Sequence, residues 1–138
     1  MLLMYHLVFP AKYRRKVFSK DVEISLRDVC LEIGRRYEIY FVEIGMEEDH
    51  VHFLVQSVPT YPVYKIVTII KSITAREILK THKEVKKELW GAALWTSGYY
   101  ANTVGQFASE EVIKKYVANQ GREYKKLYSA QLNFDFDF

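Results

Sequence analysis

The chain is poor in residues that crosslink it and in runs that would anchor it. Its single cysteine, Cys30, falls inside an apolar helical pattern and has no mate. A disulfide framework and a cysteine-rich zinc site are therefore excluded, and a reducing cytoplasm is the expected setting. No apolar stretch approaches the roughly 20 residues that span a bilayer. The opening Met1–Pro10 is broken too early to act as a signal peptide, so a soluble intracellular protein is expected. Internal repeats and low-complexity segments are missing. The formal net charge is only +3, so the total does not argue for a polyanion partner and the distribution has to be read instead.

What is present is an ordinary globular composition. In 138 residues, 49% are hydrophobic and 15% aromatic, enough for one domain over 1–138 to bury a core. Residues from about 128 onward read as a tail, since Asn133–Phe138 alternates Phe with Asp and fits either a stray strand or a loose end. Basic residues cluster three times: Lys12, Arg14, Arg15 and Lys16; Lys80, Lys83, Lys86 and Lys87; and Lys114, Lys115, Arg122, Lys125 and Lys126. Each cluster alone reads equally as a solvated face.

Tyr5–Phe9 is a short apolar run stopped by Pro10, which cannot donate to a sheet ladder, and it predicts a strand. Ser19 offers a helix N-cap, and Val22, Leu26, Val29, Ile33 and Tyr37 draw one helical stripe behind it. Ile39–Gly45 and His50–Gln56, separated by Glu47, Glu48 and Asp49, predict a hairpin. Pro59 and Pro62 bracket a loop before a second helix striped by Val63, Ile66, Ile70 and Ile73 and ending near Leu79. A charged connector leads to a fourth strand within Leu94–Val104, closed by Gly105, and Ser109 opens a last helix. The order βαββαβ plus a C-terminal helix predicts an α+β fold of the ferredoxin-like, or RRM-like, kind with an antiparallel sheet.

Two places carry possible chemistry. In His50-Val51-His52 the strand period of two puts both imidazoles on one face and Val51, Phe53 and Val55 on the other, a ready pair of metal ligands. The same pattern also arises on ordinary half-exposed strands. On the last helix Tyr116 and Gln120 are four residues apart and share a face. That face, with Ile113, Val117 and Tyr124, reads equally as amphipathic packing. A Gln amide oxygen is nonetheless a hard neutral ligand. Two imidazoles and one amide would leave positions on a divalent ion for phosphate oxygens.

Five segments in order and spacing decide more than either place alone. They are Tyr5-His6-Leu7-Val8-Phe9, Lys12-Tyr13-Arg14-Arg15, Asp49-His50-Val51-His52-Phe53-Leu54-Val55, Leu94-Trp95-Thr96-Ser97-Gly98-Tyr99-Tyr100, and Val112 through Gln120. Together they closely resemble the transposases of the smallest bacterial and archaeal insertion sequences, the single-tyrosine HUH family. The resemblance spans Tyr5 to about Gln120. It implies that His50 and His52 are metal ligands, Gln120 the third, and Tyr116 the nucleophile. It further implies cleavage and rejoining of single-stranded DNA at hairpin-marked element ends through a 5′-phosphotyrosine, and a homodimer in which one subunit's tyrosine helix completes the other's metal site. Gly105 is placed to hinge that helix, whereas Gly121, just past Gln120, departs from a good helix former and puts the placement of Lys125 and Lys126 in question.

Mg²⁺ or Mn²⁺ suits the hard oxygen donors expected here. Arg14, Arg15, Lys71 and Arg76 are the expected DNA contacts, the last two from the exposed side of helix two. Tyr99, Tyr100, Tyr124, His6 and His82 are expected to be structural or surface residues. The competing reading is a non-catalytic module whose Trp95, Tyr99 and Tyr100 stack unpaired bases. A nearer alternative, an HUH replication initiator or relaxase, usually works within a larger chain.

Overall fold

In the computed structural model, which describes residues 2–104, β1 (Leu3–Pro10), α1 (Lys20–Arg36), β2 (Ile39–Met46), β3 (His50–Ser57), α2 (Val63–Thr81), α3 (Lys83–Glu88) and β4 (Tyr100–Thr103) follow in that order. The four strands form one antiparallel sheet in the order β2-β3-β1-β4, which is the ferredoxin-like arrangement. The expected C-terminal helix lies outside the described residues.

The helices form where the apolar stripes lie. Ser19 caps α1 by accepting from the Val22 N–H at 3.3 Å, with Asp21 and Glu23 in the first turn, where negative charge favours the helix dipole. Val22, Leu26, Cys30 and Ile33 of α1, with Ile66, Ile70 and Ile78 of α2, bury against one sheet face. That face supplies Leu7 and Phe9 of β1, Phe41 and Ile44 of β2, and Val51, Phe53 and Val55 of β3. Cys30 is fully buried there, and burial pushes its thiol above the ordinary range, which makes it a packing residue. No helix among the described residues is long and apolar enough to cross a membrane.

Three expectations about elements need correction. β1 does not stop before Pro10: that residue pairs with His50, and its carbonyl accepts the Thr96 N–H at 3.1 Å. Proline is tolerated because only its missing N–H, not its carbonyl, is lost to the ladder. The charged connector contains a helix, α3. The fourth strand covers only Tyr100–Thr103, because the segment before it is held by other means. Trp95 turns into the core, its indole N–H donating to Thr74 Oγ1 at 3.0 Å, and Lys71 Nζ donates to the carbonyls of Thr96 and Gly98 at 2.8 and 3.0 Å.

Candidate active site on the central strand

β3 lies between β1 and β2, and its first residues emerge from the hairpin turn at Glu47–Asp49. That turn is tied down from both sides. The Ala11 N–H donates to the Asp49 carbonyl at 2.8 Å, the Phe18 N–H to Glu48 at 3.1 Å, and the Glu47 N–H to His50 at 2.9 Å. Because Val51, Phe53 and Val55 fill the helix side, His50 and His52 project from the opposite face, as the alternation predicts.

The two imidazoles converge. Their centroids are 4.9 Å apart and their Nε2 atoms 3.1 Å apart. Two nitrogens at that distance either share a proton or face a common cation. Nitrogen ligands about 2.1 Å from one ion, at tetrahedral to octahedral angles, lie roughly 3.0–3.4 Å from each other, so the spacing fits two ligands of a single metal.

The outer nitrogens are also engaged. His50 Nδ1–H donates to Asp49 Oδ1 at 2.7 Å, which leaves its Nε2 lone pair free, the arrangement that orients metal-binding histidines. Asp49 is itself gripped by Arg14 Nε at 3.2 Å. The hydrogen bond from His50, and then the Arg14 charge, hold the Asp49 carboxyl below its ordinary range.

On the far side, His52 Nδ1 lies 3.3 Å from Nε2 of His6, with the rings stacked at 5.5 Å. His6, expected to be a structural or surface residue, thus contacts the imidazole pair. Sequence spacing could not show it, because His6 and His52 are 46 residues apart and meet only through the β1–β3 register, in which Val8 stands opposite His52. Burial lowers the pKa of His6, and burial followed by the charges of His50 and His6 lowers that of His52, so both favour the neutral, ligating form.

Among the described residues, no group of three or more His, Cys, Asp and Glu side chains could hold a metal alone. The remaining expected participants, Tyr116, Gln120 and the hinge Gly105, lie outside the described residues.

The other expected positions divide. Arg14 and Arg76 are exposed, Arg76 beside Glu77 at 3.6 Å, and Arg15 is half-buried beside Glu88, also at 3.6 Å. Lys71 is not on the exposed side of α2: it is half-buried over the rings of Phe9 and Tyr99, bonded to two carbonyls, and desolvation lowers its pKa. His82 is structural, bridging Ser25 Oγ at 2.7 Å and Glu84 at 3.0 Å. Trp95 is 5% exposed, so it cannot belong to a base-stacking platform with Tyr99 and Tyr100.

The family profile described as "Transposase IS200 like" matches residues 1–120. The chain belongs to that family. The transposase is 30% identical over 118 residues to the ISDra2 transposase TnpA of Deinococcus radiodurans, covering 86% of this chain and 84% of the relative. It is 25% identical over 121 residues to the transposase for insertion sequence element IS200 of Salmonella typhimurium, covering 88% and 78% respectively. A crystal structure of a transposase candidate from Deinococcus radiodurans R1 superimposes with a TM-score of 0.70 at 28% identity, over 87% of this chain and 92% of that one. The transposase is thus a DNA-cleaving enzyme, and DNA is its partner.

Proposed function

We propose that the transposase cuts and rejoins single-stranded DNA at hairpin-marked element ends, with His50, His52 and Gln120 as ligands of one Mg²⁺ or Mn²⁺ and Tyr116 as nucleophile. The observation that carries this reading is the pair of Nε2 atoms at 3.1 Å, with Asp49 fixing the tautomer of His50. When bound, the divalent ion polarises the scissile phosphate and neutralises charge developing on its oxygens.

The rest falls to side chains. The Tyr116 phenolic oxygen attacks phosphorus in line, the bond to the 3′ oxygen breaks, the phenolic proton leaves to solvent, and the departing oxygen takes one up. A 5′-phosphotyrosine and a free 3′-hydroxyl result. The ester bond is conserved, so a second 3′-hydroxyl can reverse the step onto another strand without ATP. Arg14, Arg15 and Arg76 neutralise backbone phosphates. The working form is a homodimer in which Tyr116 acts on the partner's metal site, and the cytoplasm gives it both DNA and free divalent ions.

The test is incubation of the full chain with a labelled single-stranded hairpin from its own element ends, in Mg²⁺ or EDTA, followed by a denaturing gel. A covalent adduct that needs metal and disappears in Tyr116→Phe is expected. Binding without adduct under every divalent ion tried would overturn the catalytic reading.

A further inference from the structure

A second surface, away from the histidine pair, combines backbone strain, exposed aromatic residues and clustered positive charge. Helix α3 ends in a Schellman cap, the Gly91 N–H reaching Lys86 O at 2.9 Å and the Trp90 N–H reaching Lys87 O at 3.0 Å. Trp90 occupies the left-handed position of that cap, at φ +52. Glycine usually stands there, because a Cβ in this conformation costs about 1 kcal/mol. Here the position holds the largest of side chains, and the residue is 74% exposed. A tryptophan that neither fills the core nor eases the turn has no folding reason to be there.

The other non-glycine residues with positive φ among those described are Tyr13 and Arg14, at +58 and +53. Tyr13 is exposed, with its ring 6.0 Å from that of Trp90. The Arg15 guanidinium lies 4.5 Å over the Trp90 ring. Two of the three non-glycine residues with positive φ in the described region, Tyr13 and Trp90, therefore meet in one aromatic and cationic cluster. Beside it runs a groove of about 570 Å³ lined by Leu79, Trp90 and four lysines: Lys80, Lys83, Lys86 and Lys87. No ion pair among the described residues engages those lysines, because Glu84 is turned to His82 and Glu88 to Arg15.

We propose that this surface binds unpaired nucleotides of DNA, with bases stacking on Trp90 and Tyr13 and phosphates following Lys83, Lys86 and Lys87. Flat aromatic rings beside a positive groove are what a single strand requires, whereas the bases of a duplex are not free to stack. A second copy of the chain would bring the same excess of positive charge to an isologous contact and be repelled. The surface also adjoins the histidines: Arg14, next to Tyr13, bonds Asp49, which bonds His50. A strand held at the histidine pair would run onto it. The inference rests on the single-strand reading above.

The test uses the full chain with a hairpin oligonucleotide carrying a thymidine flank of roughly ten nucleotides, and with the same hairpin lacking the flank. Of the two tryptophans, Trp95 is buried, so fluorescence quenching reports on Trp90. The flanked oligonucleotide is expected to quench and the blunt hairpin not. By anisotropy of a labelled flanked oligonucleotide, Trp90→Gly should weaken binding about 10-fold, Trp90→Phe should restore most of it, and the glycine variant should melt no lower than the parent. The double variant Lys86→Ala, Lys87→Ala should reduce the slope of log K against log salt by about 1.4. Unchanged affinity in Trp90→Gly overturns the proposal, as does a change in that variant's particle mass by light scattering, which would make the surface a subunit contact. Quenching without a covalent adduct sinks the catalytic reading and leaves this one standing; an adduct without quenching does the reverse.

Discussion

Replacing Glu43 by glutamine should make the protein more stable, and only above a definite pH. Glu43 follows a bulge in β2, stands opposite Leu54 and is 7% exposed, and its Oε2 has no hydrogen-bond partner among the described residues. Burial raises its pKa from an ordinary 4.5 to about 7. Below pH 4.5 both folded and unfolded chains hold the proton, and the group contributes nothing to the balance. As pH rises from 4.5 to 7 the unfolded chain ionises while the folded one does not, so the folded state binds more protons and stability falls.

The loss is complete above pH 7 and amounts to about 3 kcal/mol at about 1.4 kcal/mol per pH unit, an upper figure because the site can relax. Glu43→Gln keeps the shape and removes the ionisation. Urea unfolding of both proteins between pH 4.5 and 8.5 should give curves that meet near pH 4.5 and diverge to about 2–3 kcal/mol at pH 8. In a chain of this size that is a rise in Tm on the order of 10 °C at pH 8. A gap that is independent of pH, or one that closes as pH rises, would refute the burial argument.

Asp49→Asn should weaken binding of Mn²⁺ to the full chain 10- to 100-fold by isothermal titration, since the negative charge that holds the His50 Nδ1–H through Oδ1 and is itself held by Arg14 through Oδ2 is lost, while the melting temperature changes little. Thr74→Val removes the acceptor of the Trp95 indole N–H inside the core and should cost about 1–3 kcal/mol in urea unfolding. Lys71→Met leaves the Thr96 and Gly98 carbonyls without their ammonium donor; faster hydrogen exchange in residues 96–103 is expected, and unchanged exchange there would show that the ammonium does not hold the segment.

Local rules carried the sequence reading where the decisive contacts are local. Ser19 caps α1 because a hydroxyl three residues before an amide can reach it, and the alternation from His50 to Val55 sorts faces because a strand permits nothing else. Apolar spacing likewise placed α2 from Val63. The readings that needed correction depend on partners far along the chain. His6 meets His52 only through a register that no spacing reveals, and Lys71 is drawn inward by carbonyls 25 and 27 residues away. α3 was hidden because a single buried residue, Val85, supplies its apolar signal among charges. The stretch Leu94–Tyr99 has strand-forming residues and touches the end of β1 through an isolated Ala11–Trp95 bridge, yet the carbonyls of Thr96 and Gly98 turn to Lys71 and the Trp95 indole to Thr74, so no continuous strand forms there.

The position of the histidines on an inner strand has a consequence for errors in folding. A strand that pairs one residue out of step exchanges its two faces. Were β3 to slip so, His50 and His52 would turn beneath the helices, and Val51, Phe53 and Val55 would face outward on both flanks at once. Such a molecule would lose its core and its imidazole pair together. A mispaired copy would therefore forfeit its folded core in the same step as the proposed metal ligands, so a register error would leave no stably folded molecule carrying a misplaced histidine pair.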